Sequence, residues 1–143
     1  FDQYSPASVI AVKDVGLEEI SRYGSAQYME DPNYPHRISA MLEKLPADQA
    51  PSTFAQGGRF VISNKIISVL ENQPTGQGNE LWLADAQNYL AKNDVVLTQA
   101  FEADADWLTT GDPLRWLIAN ITLALNDPKY HDDLTKFINS LKR

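Results

Sequence analysis

Apolar positions along this chain recur at two periods, and the changes of period mark out its elements. Ala7 to Val12 is a continuous apolar run with β-branched residues, the pattern of a strand buried on both faces. Leu17 to Tyr23 reads as a short helical turn ended by Gly24, the residue that most readily takes a left-handed conformation. Asp31 to Pro35 (D-P-N-Y-P) is turn chemistry and predicts a surface loop. Arg37 to Lys44 predicts a second strand, left through a loop from Pro46 to Pro51, and Arg59 to Ile62 predicts a third. Lys65 to Glu71 is a short helix with Ile66, Ile67 and Leu70 on its apolar face. Pro74 to Gly78 is a flexible connection into a helix, Leu81 to Lys92, whose apolar positions are Trp82, Leu83, Ala86, Tyr89 and Leu90. Val95 to Phe101 predicts a further strand.

The clearest helix opens at Asp112-Pro113, with Asp as N-cap and Pro in the first helical position. Its stripe is Leu114, Leu117, Ile118, Ile121 and Leu125, and Asp127-Pro128 closes it. Leu134, Phe137, Ile138 and Leu141 repeat the pattern in a last helix, Asp132 to Lys142. Strands and helices interleave, so the class is α/β with a helical C-terminal tail. A chain of 143 residues is about one domain, and residues 1–143 are read as one.

Charge and composition narrow the function. A net charge of −7 argues against nucleic acid or an anionic membrane as partner, since both call for a basic surface. A phosphorylated small molecule needs only one or two placed cations. With no cysteine there is no disulfide and no thiolate chemistry. No apolar run approaches the roughly 20 residues that span a bilayer, and a cytoplasmic location is the expectation. The chain begins at Phe1 and runs almost directly into a strand, which leads us to expect a piece of a longer protein.

Two charged strand ends beside glycines look like the halves of a ligand site. Glu43-Lys44 closes the second strand. A carboxylate can accept hydrogen bonds from vicinal sugar hydroxyls, and an ammonium is a compact partner for phosphate. Neighbours on a strand point to opposite faces, so both reach one ligand only where the strand ends or bends. An exposed ion pair at a strand terminus fits the same residues. Asp85, in a first helical turn after the glycines of P-T-G-Q-G, could hold a hard cation or simply complement the helix dipole. His36 and His131 lack spaced partners and read as surface histidines. No phosphate-cradling G-x-x-x-x-G-K-[ST] loop or G-x-G-x-x-G follows a strand.

Five motifs in series carry a family resemblance. They are S-V-I-A-V followed by S-R-Y-G; L-E-K-L-P; A-P-S-T-F-A-Q-G-G-R-F-V-I-S; L-E-N-Q-P-T-G-Q-G-N-E-L-W-L-A-D-A from Leu70 to Ala86; and T-G-D-P-L-R-W-L-I-A-N. In that order the chain resembles the C-terminal half of bacterial UTP–glucose-1-phosphate uridylyltransferases, which are sugar-phosphate nucleotidyltransferases. Three positions depart from the family pattern. Leu45 stands where proline is usual, D-P-N-Y-P looks inserted, and Thr109 stands where many relatives have Asp before T-G.

The resemblance implies the C-terminal part of a Rossmann-like nucleotidyltransferase mixed sheet, with helices at the C-terminus. It implies that Glu43 holds sugar hydroxyls, that Lys44 pairs with the sugar phosphate and carries the catalytic role, and that Gly24 makes a backbone contact to the sugar. Gln56 to Gly58, with Gln56 and Gly58 as substrate-binding residues, would wall the sugar pocket. Asp85 would be one carboxylate of a Mg²⁺ site. The reaction implied is formation of UDP-glucose and pyrophosphate from UTP and glucose 1-phosphate. The nucleotide-binding N-terminal part, with its Gly-rich loop and other metal aspartate, has no counterpart in these residues, so the chain alone is expected to be inactive. Homo-oligomers through the C-terminal helices are expected. A non-catalytic sugar-phosphate-binding or oligomerisation module, or a nucleotidyltransferase for another sugar, are the alternatives.

Overall fold

The computed structural model describes residues 1–102 and 105–141. The chain separates into two compact units, Phe1–Ala103 and Asp104–Arg143. The first unit holds a five-stranded mixed sheet in the order β3-β2-β4-β1-β5. Its strands are β1 (Ser8–Asp14), β2 (Gly24–Tyr28), β3 (Ile38–Glu43), β4 (Phe54–Ile62) and β5 (Val96–Ala100). Helices α1 (Gly16–Ile20), α2 (Lys65–Asn72) and α3 (Leu83–Asn93) complete it, with a 3-10 turn at Gln77–Asn79.

β1 is the apolar run and lies between β4 and β5 in the sheet. It pairs antiparallel with β4 and parallel with β5, Ser8 facing Ile62 and Val96. Ser8, Ile10 and Val12 are buried while Val9 and Ala11 are half-buried, so the run has one deep face rather than the two expected. Ile10, Val12, Ala26, Ile38, Met41, Leu90, Ala91 and Val96 form the core, capped by Phe54, Phe60, Ile66 and Val69. Burying the Ile, Val, Leu and Met side chains among them contributes roughly 1.5–3 kcal/mol each.

The helices bury some of the expected positions, Ile66, Ala86 and Leu90, and expose others. On α2 the inward residues are Ile66 and Val69, and Ile67 is 56% exposed. On α3 the buried residues are Ala86, Gln87, Leu90 and Ala91, while Trp82, Leu83 and Tyr89 point outward. Gly24 does not end a helix; it is the first residue of β2, a strand the apolar pattern did not reveal. β4 also starts earlier than expected, at Phe54 rather than Arg59, and a bulge opposite β1 between Ile10 and Val12 absorbs its extra residues.

The sheet curls. Arg37 bridges Leu97, and the Thr98 N–H donates to the His36 carbonyl at 3.0 Å, so the start of β3 meets β5. The D-P-N-Y-P loop before it is anchored by Arg37, whose Nη1 donates to Asp31 at 2.6 Å and whose Nη2 donates to the Asp94 carbonyl at 3.1 Å.

The second unit is a helical hairpin of α4 (Pro113–Asn126) and α5 (His131–Leu141). The expected cap is present: the Asp112 carboxylate accepts from the Arg115 N–H at 2.9 Å, and Pro113 opens the helix. The turn between the helices is built on Asp127, which accepts from the Lys129 N–H at 2.8 Å. Leu114, Leu117, Ile118 and Ile121 of the α4 stripe are exposed, and Ala119 is its buried residue. Lys142, the expected end of the last helix, lies outside the described residues.

Candidate functional site

Strand pairing gathers the residues of interest at one end of the sheet. There β1 ends at Asp14 opposite Phe54, β3 ends at Glu43 opposite Gly24, and β2 pairs with β4 at Ser25–Ala55. β5 reaches the same end, with Val12 beside Ala100. Gly24, Glu43, Lys44 and Gln56, well separated in the sequence, therefore share one rim of the sheet.

Glu43 and Gly24 are in direct apposition. A Cβ placed on Gly24 would stand 2.9 Å from Glu43 Oε1 and 3.2 Å from Met41 Cγ, closer than side chains approach. The glycine lets the carboxylate lie across the start of β2. Lys44 follows with φ 50, a left-handed backbone that is rare for a residue with a side chain. Its N–H donates to the Tyr23 carbonyl at 3.0 Å, which holds the turn. This bend breaks the strand alternation between the two charges. Both side chains are exposed, as an open ligand site or a solvated ion-pair position would have them.

Gln56 and Gly58 lie within β4. Gln56 is half-buried opposite Val12, and Gly58 has φ 69 with open space beside it. Between them, a Cβ on Gly57 would stand 2.6 Å from two carbons of the Phe101 ring, so that glycine makes room for an aromatic leaving β5. Gln56 to Gly58 thus lie on a bulged strand backed by Phe101.

Two adjacent cavities open beside this rim and share Phe54 and Ala100. One, of about 200 Å³, is lined by Lys13, Asp14, Phe54, Ala100, Phe101 and Glu102. The other, of about 310 Å³, is lined by Val12, Tyr28, His36, Phe54, Thr98, Gln99 and Ala100. Sequence reasoning passed over Lys13, Asp14 and Tyr28. The signal for the first two was a charged pair directly after the V-I-A-V strand. A hydrogen bond from the Thr53 side chain, then the Gly16 N–H at 3.1 Å, holds the Asp14 carboxyl below the usual carboxylate range. Burial pushes the Tyr28 hydroxyl up, against a hydrogen bond with Thr98 at 3.2 Å. Tyr28 and Phe54 meet edge to face, with centroids 5.8 Å apart.

Asp85 stands in the first turn of α3, where the helix dipole favours a carboxylate. Its exposed side chain reaches back over the preceding loop, and a Cβ on Gly76 would stand 2.9 Å from Asp85 Oδ2. The chemistry of the donor set decides how a magnesium ion would fit. Mg²⁺ takes oxygen ligands, typically one or two carboxylates completed by phosphate and water. Asp85 offers one carboxylate, and among the described residues no three His, Cys, Asp or Glu side chains come together as a ligand group. Asp85 by itself is not a metal centre. The His36 carbonyl serves the β5 seam, and His131 Nδ1 meets the Leu125 carbonyl at 2.6 Å.

The Asn88 carboxamide accepts from the Met41 N–H at 2.7 Å and donates to the Met41 carbonyl at 3.0 Å, joining α3 to β3.

The mixed sheet with its helices is an α/β fold that matches nucleotidyltransferase structures. Among these, the proteins this chain is similar to are UTP–glucose-1-phosphate uridylyltransferases. It is 34% identical over 134 residues to the enzyme of Staphylococcus haemolyticus, covering 94% of this chain and 46% of that protein. It is 30% identical over 142 residues to that of Bacillus subtilis, covering 98% and 48%. The solved UDP-glucose pyrophosphorylase of Acinetobacter baumannii superposes with a TM-score of 0.77 at 29% identity, covering 95% of this chain and 46% of that one. A UDP-glucose pyrophosphorylase complexed with UDP-glucose superposes with a TM-score of 0.75 at 25% identity, covering 88% and 47%. The chain spans about half the length of each of these relatives. No protein-family model matches it. Among the described residues no helix is long and apolar enough to cross a membrane.

Proposed function

We propose that this chain is the sugar-binding, C-terminal portion of a uridylyltransferase that forms UDP-glucose and pyrophosphate from UTP and glucose 1-phosphate. The observation that carries the reading is the Glu43–Gly24–Lys44 rim: a carboxylate laid on a glycine backbone, followed at once by an ammonium on a left-handed turn. Glu43 accepts hydrogen bonds from vicinal sugar hydroxyls, and Gly24 leaves room for that carboxylate while its own backbone contacts the sugar. Lys44 neutralises the sugar phosphate, and Gln56 to Gly58 flank the ring. A phosphate oxygen of the bound sugar then attacks the α-phosphorus of UTP in line, and pyrophosphate leaves. Catalysis of that kind is mainly positioning and charge neutralisation. Asp85 would hold a Mg²⁺ as one oxygen ligand, and the ion would supply neutralisation of phosphate charge. The relatives are about twice as long, and none of the residues above would cradle a triphosphate, so the 143-residue chain alone is inactive.

The test is calorimetric titration of the chain with glucose 1-phosphate. Binding that Glu43→Ala and Lys44→Ala each weaken, with both variants folded, is the expected result. Equal affinity in all three proteins would overturn the assignment. A second reading, a non-catalytic module that binds a sugar phosphate and assembles through α4 and α5, is favoured by the exposed apolar faces of those helices. The fold equally admits a nucleotidyltransferase for another sugar, and hexose 1-phosphates differing at one hydroxyl separate that case in the same titration.

A further inference from the structure

β3 is an end strand in the sheet order, and the outer edge of such a strand leaves backbone groups without a ladder. On its inner side Met41 pairs with Ala26 of β2. Its outer side is met at the start of the strand by the Arg37–Leu97 bridge. At Met41 the outer N–H and carbonyl face α3 instead, and both are taken by one side chain. The Met41 N–H donates to Asn88 Oδ1 at 2.7 Å, and Asn88 Nδ2 donates to the Met41 carbonyl at 3.0 Å. A carboxamide carries the same donor and acceptor as a peptide group, so Asn88 stands in for a missing neighbouring strand. Met41 is 2% exposed, and water cannot readily replace that partner.

The clamp sits between the two halves of the candidate site. Asn88 lies three residues after Asp85, and residues three apart share one helix face. Met41 lies two residues before Glu43, and residues two apart share one face of a strand. The end of β3 is thus tied on both sides: within, the Tyr23 carbonyl accepts from the Lys44 N–H while Gly24 leaves room for the Glu43 carboxylate, and without, Asn88 holds the strand. We infer that Asn88 is a positioning residue: its paired hydrogen bonds to Met41 set the placement of Glu43 and Lys44 relative to Asp85. It touches no substrate itself. The inference rests on the sugar-phosphate site proposed above, and part of its test needs no ligand.

The experiment uses the 143-residue chain with Asn88→Leu, which is near-isosteric and removes both bonds, and Asn88→Asp, which keeps an acceptor for the Met41 N–H and loses the donor. Asn72→Leu is the control, because Asn72 donates within its own helix, to the Ser68 carbonyl. Hydrogen exchange at the Met41 amide should quicken in Asn88→Leu and stay slow in Asn88→Asp. The Glu43 and Lys44 amide resonances should shift in both Asn88 variants and stay fixed in the control. The dissociation constant for glucose 1-phosphate should rise about ten-fold or more in Asn88→Leu, since small misplacements of binding groups are costly. If Asn88→Leu fails to fold, Asn88→Asp alone decides, by its Glu43 and Lys44 shifts and its affinity. Rapid Met41 exchange with unchanged affinity and unchanged shifts would reduce Asn88 to a structural tie and overturn the inference. If the unaltered chain takes up no glucose 1-phosphate, the proposed function fails on its own. The positioning claim then stands or falls on the Glu43 and Lys44 shifts.

Discussion

Glu43 Oε1 lies within 2.9 Å of the place a Gly24 Cβ would occupy, so the backbone of one residue is the seat for the carboxylate of the other. Gly24→Ala should therefore act on the ligand site more than on the fold. The nearest obstacle is the far end of a flexible side chain, and Met41 Cγ at 3.2 Å need shift only slightly. The expected loss of stability is about 1 kcal/mol, typical of a point substitution. Affinity for glucose 1-phosphate should fall about ten-fold or more as the carboxylate swings away, because a hydrogen bond to a charged group contributes roughly 1.5–3 kcal/mol. Melting curves and titration of the same preparation separate the two effects.

Lys44→Gly should stabilise the chain and abolish phosphate recognition together. A left-handed backbone costs a residue with a side chain roughly 1–2 kcal/mol, and glycine takes it freely. Lys44→Ala loses the charge while keeping the strain. The ordering expected in thermal denaturation is Lys44→Gly above Lys44→Ala, with neither variant binding glucose 1-phosphate tightly. The reverse order of melting temperatures would show that the turn is not strained.

Three carboxylates among the described residues contribute to the acid side of the stability curve. The Lys65 ammonium hydrogen-bonded to Asp94 holds that carboxyl low, with burial opposing, and the Arg37 guanidinium does the same for Asp31. Asp14 is held low by the Thr53 side chain. Each has a folded value below the ordinary 3.8, so each contributes stability that is present above about that pH and lost as pH falls through the folded value. Lys65→Met should flatten the fall in melting temperature between pH 5 and pH 3, an interval of about two units around the ordinary carboxylate value. The exposure of Lys65 keeps the effect small. A slope identical to that of the unaltered chain would remove this pair from the account.

Purified chain supplied with UTP, glucose 1-phosphate and Mg²⁺ should release no pyrophosphate. Nothing among the residues assigned here orders the triphosphate for in-line displacement, and positioning carries most of the rate. Turnover that disappears in Lys44→Ala would refute this.

The hairpin of α4 and α5 should self-associate. Leu114, Trp116, Leu117 and Leu123 of α4 and Phe137 and Leu141 of α5 are each at least half exposed, from 50% to 65%. A surface of that kind is characteristic of interaction sites. Light scattering should give a mass above that of one chain, lowered by the paired change Leu114→Glu and Leu123→Glu. A single-chain mass at high concentration would exclude it.

The parts of this fold that the sequence made legible are those set by neighbours along the chain. The Asp112–Pro113 cap and the apolar strand at Ile10 and Val12 announce themselves locally. β2 does not, because G-S-A-Q-Y has little apolar periodicity and exists as a strand through its pairing with β3. The same non-local pairing hides the site. Gly24 and Glu43 could each be suspected alone, but their contact follows from a register that joins distant positions, and Asn88 meets Met41 only once α3 has docked. On α2, Ile66 and Val69 pack on the core while Ile67 is exposed, a choice that tertiary packing makes among three neighbouring apolar residues.

The seam between His36 and Thr98 has a bearing on how this unit behaves in company. With Arg37 bridged to Leu97 and Met41 answered by Asn88, the two margins of the sheet are engaged with each other and with a helix. Open margins are where foreign strands add and where fibrils begin. A curled sheet that closes on itself in this way is a poor seed, and crowding should drive such molecules together through their helices rather than through their strands.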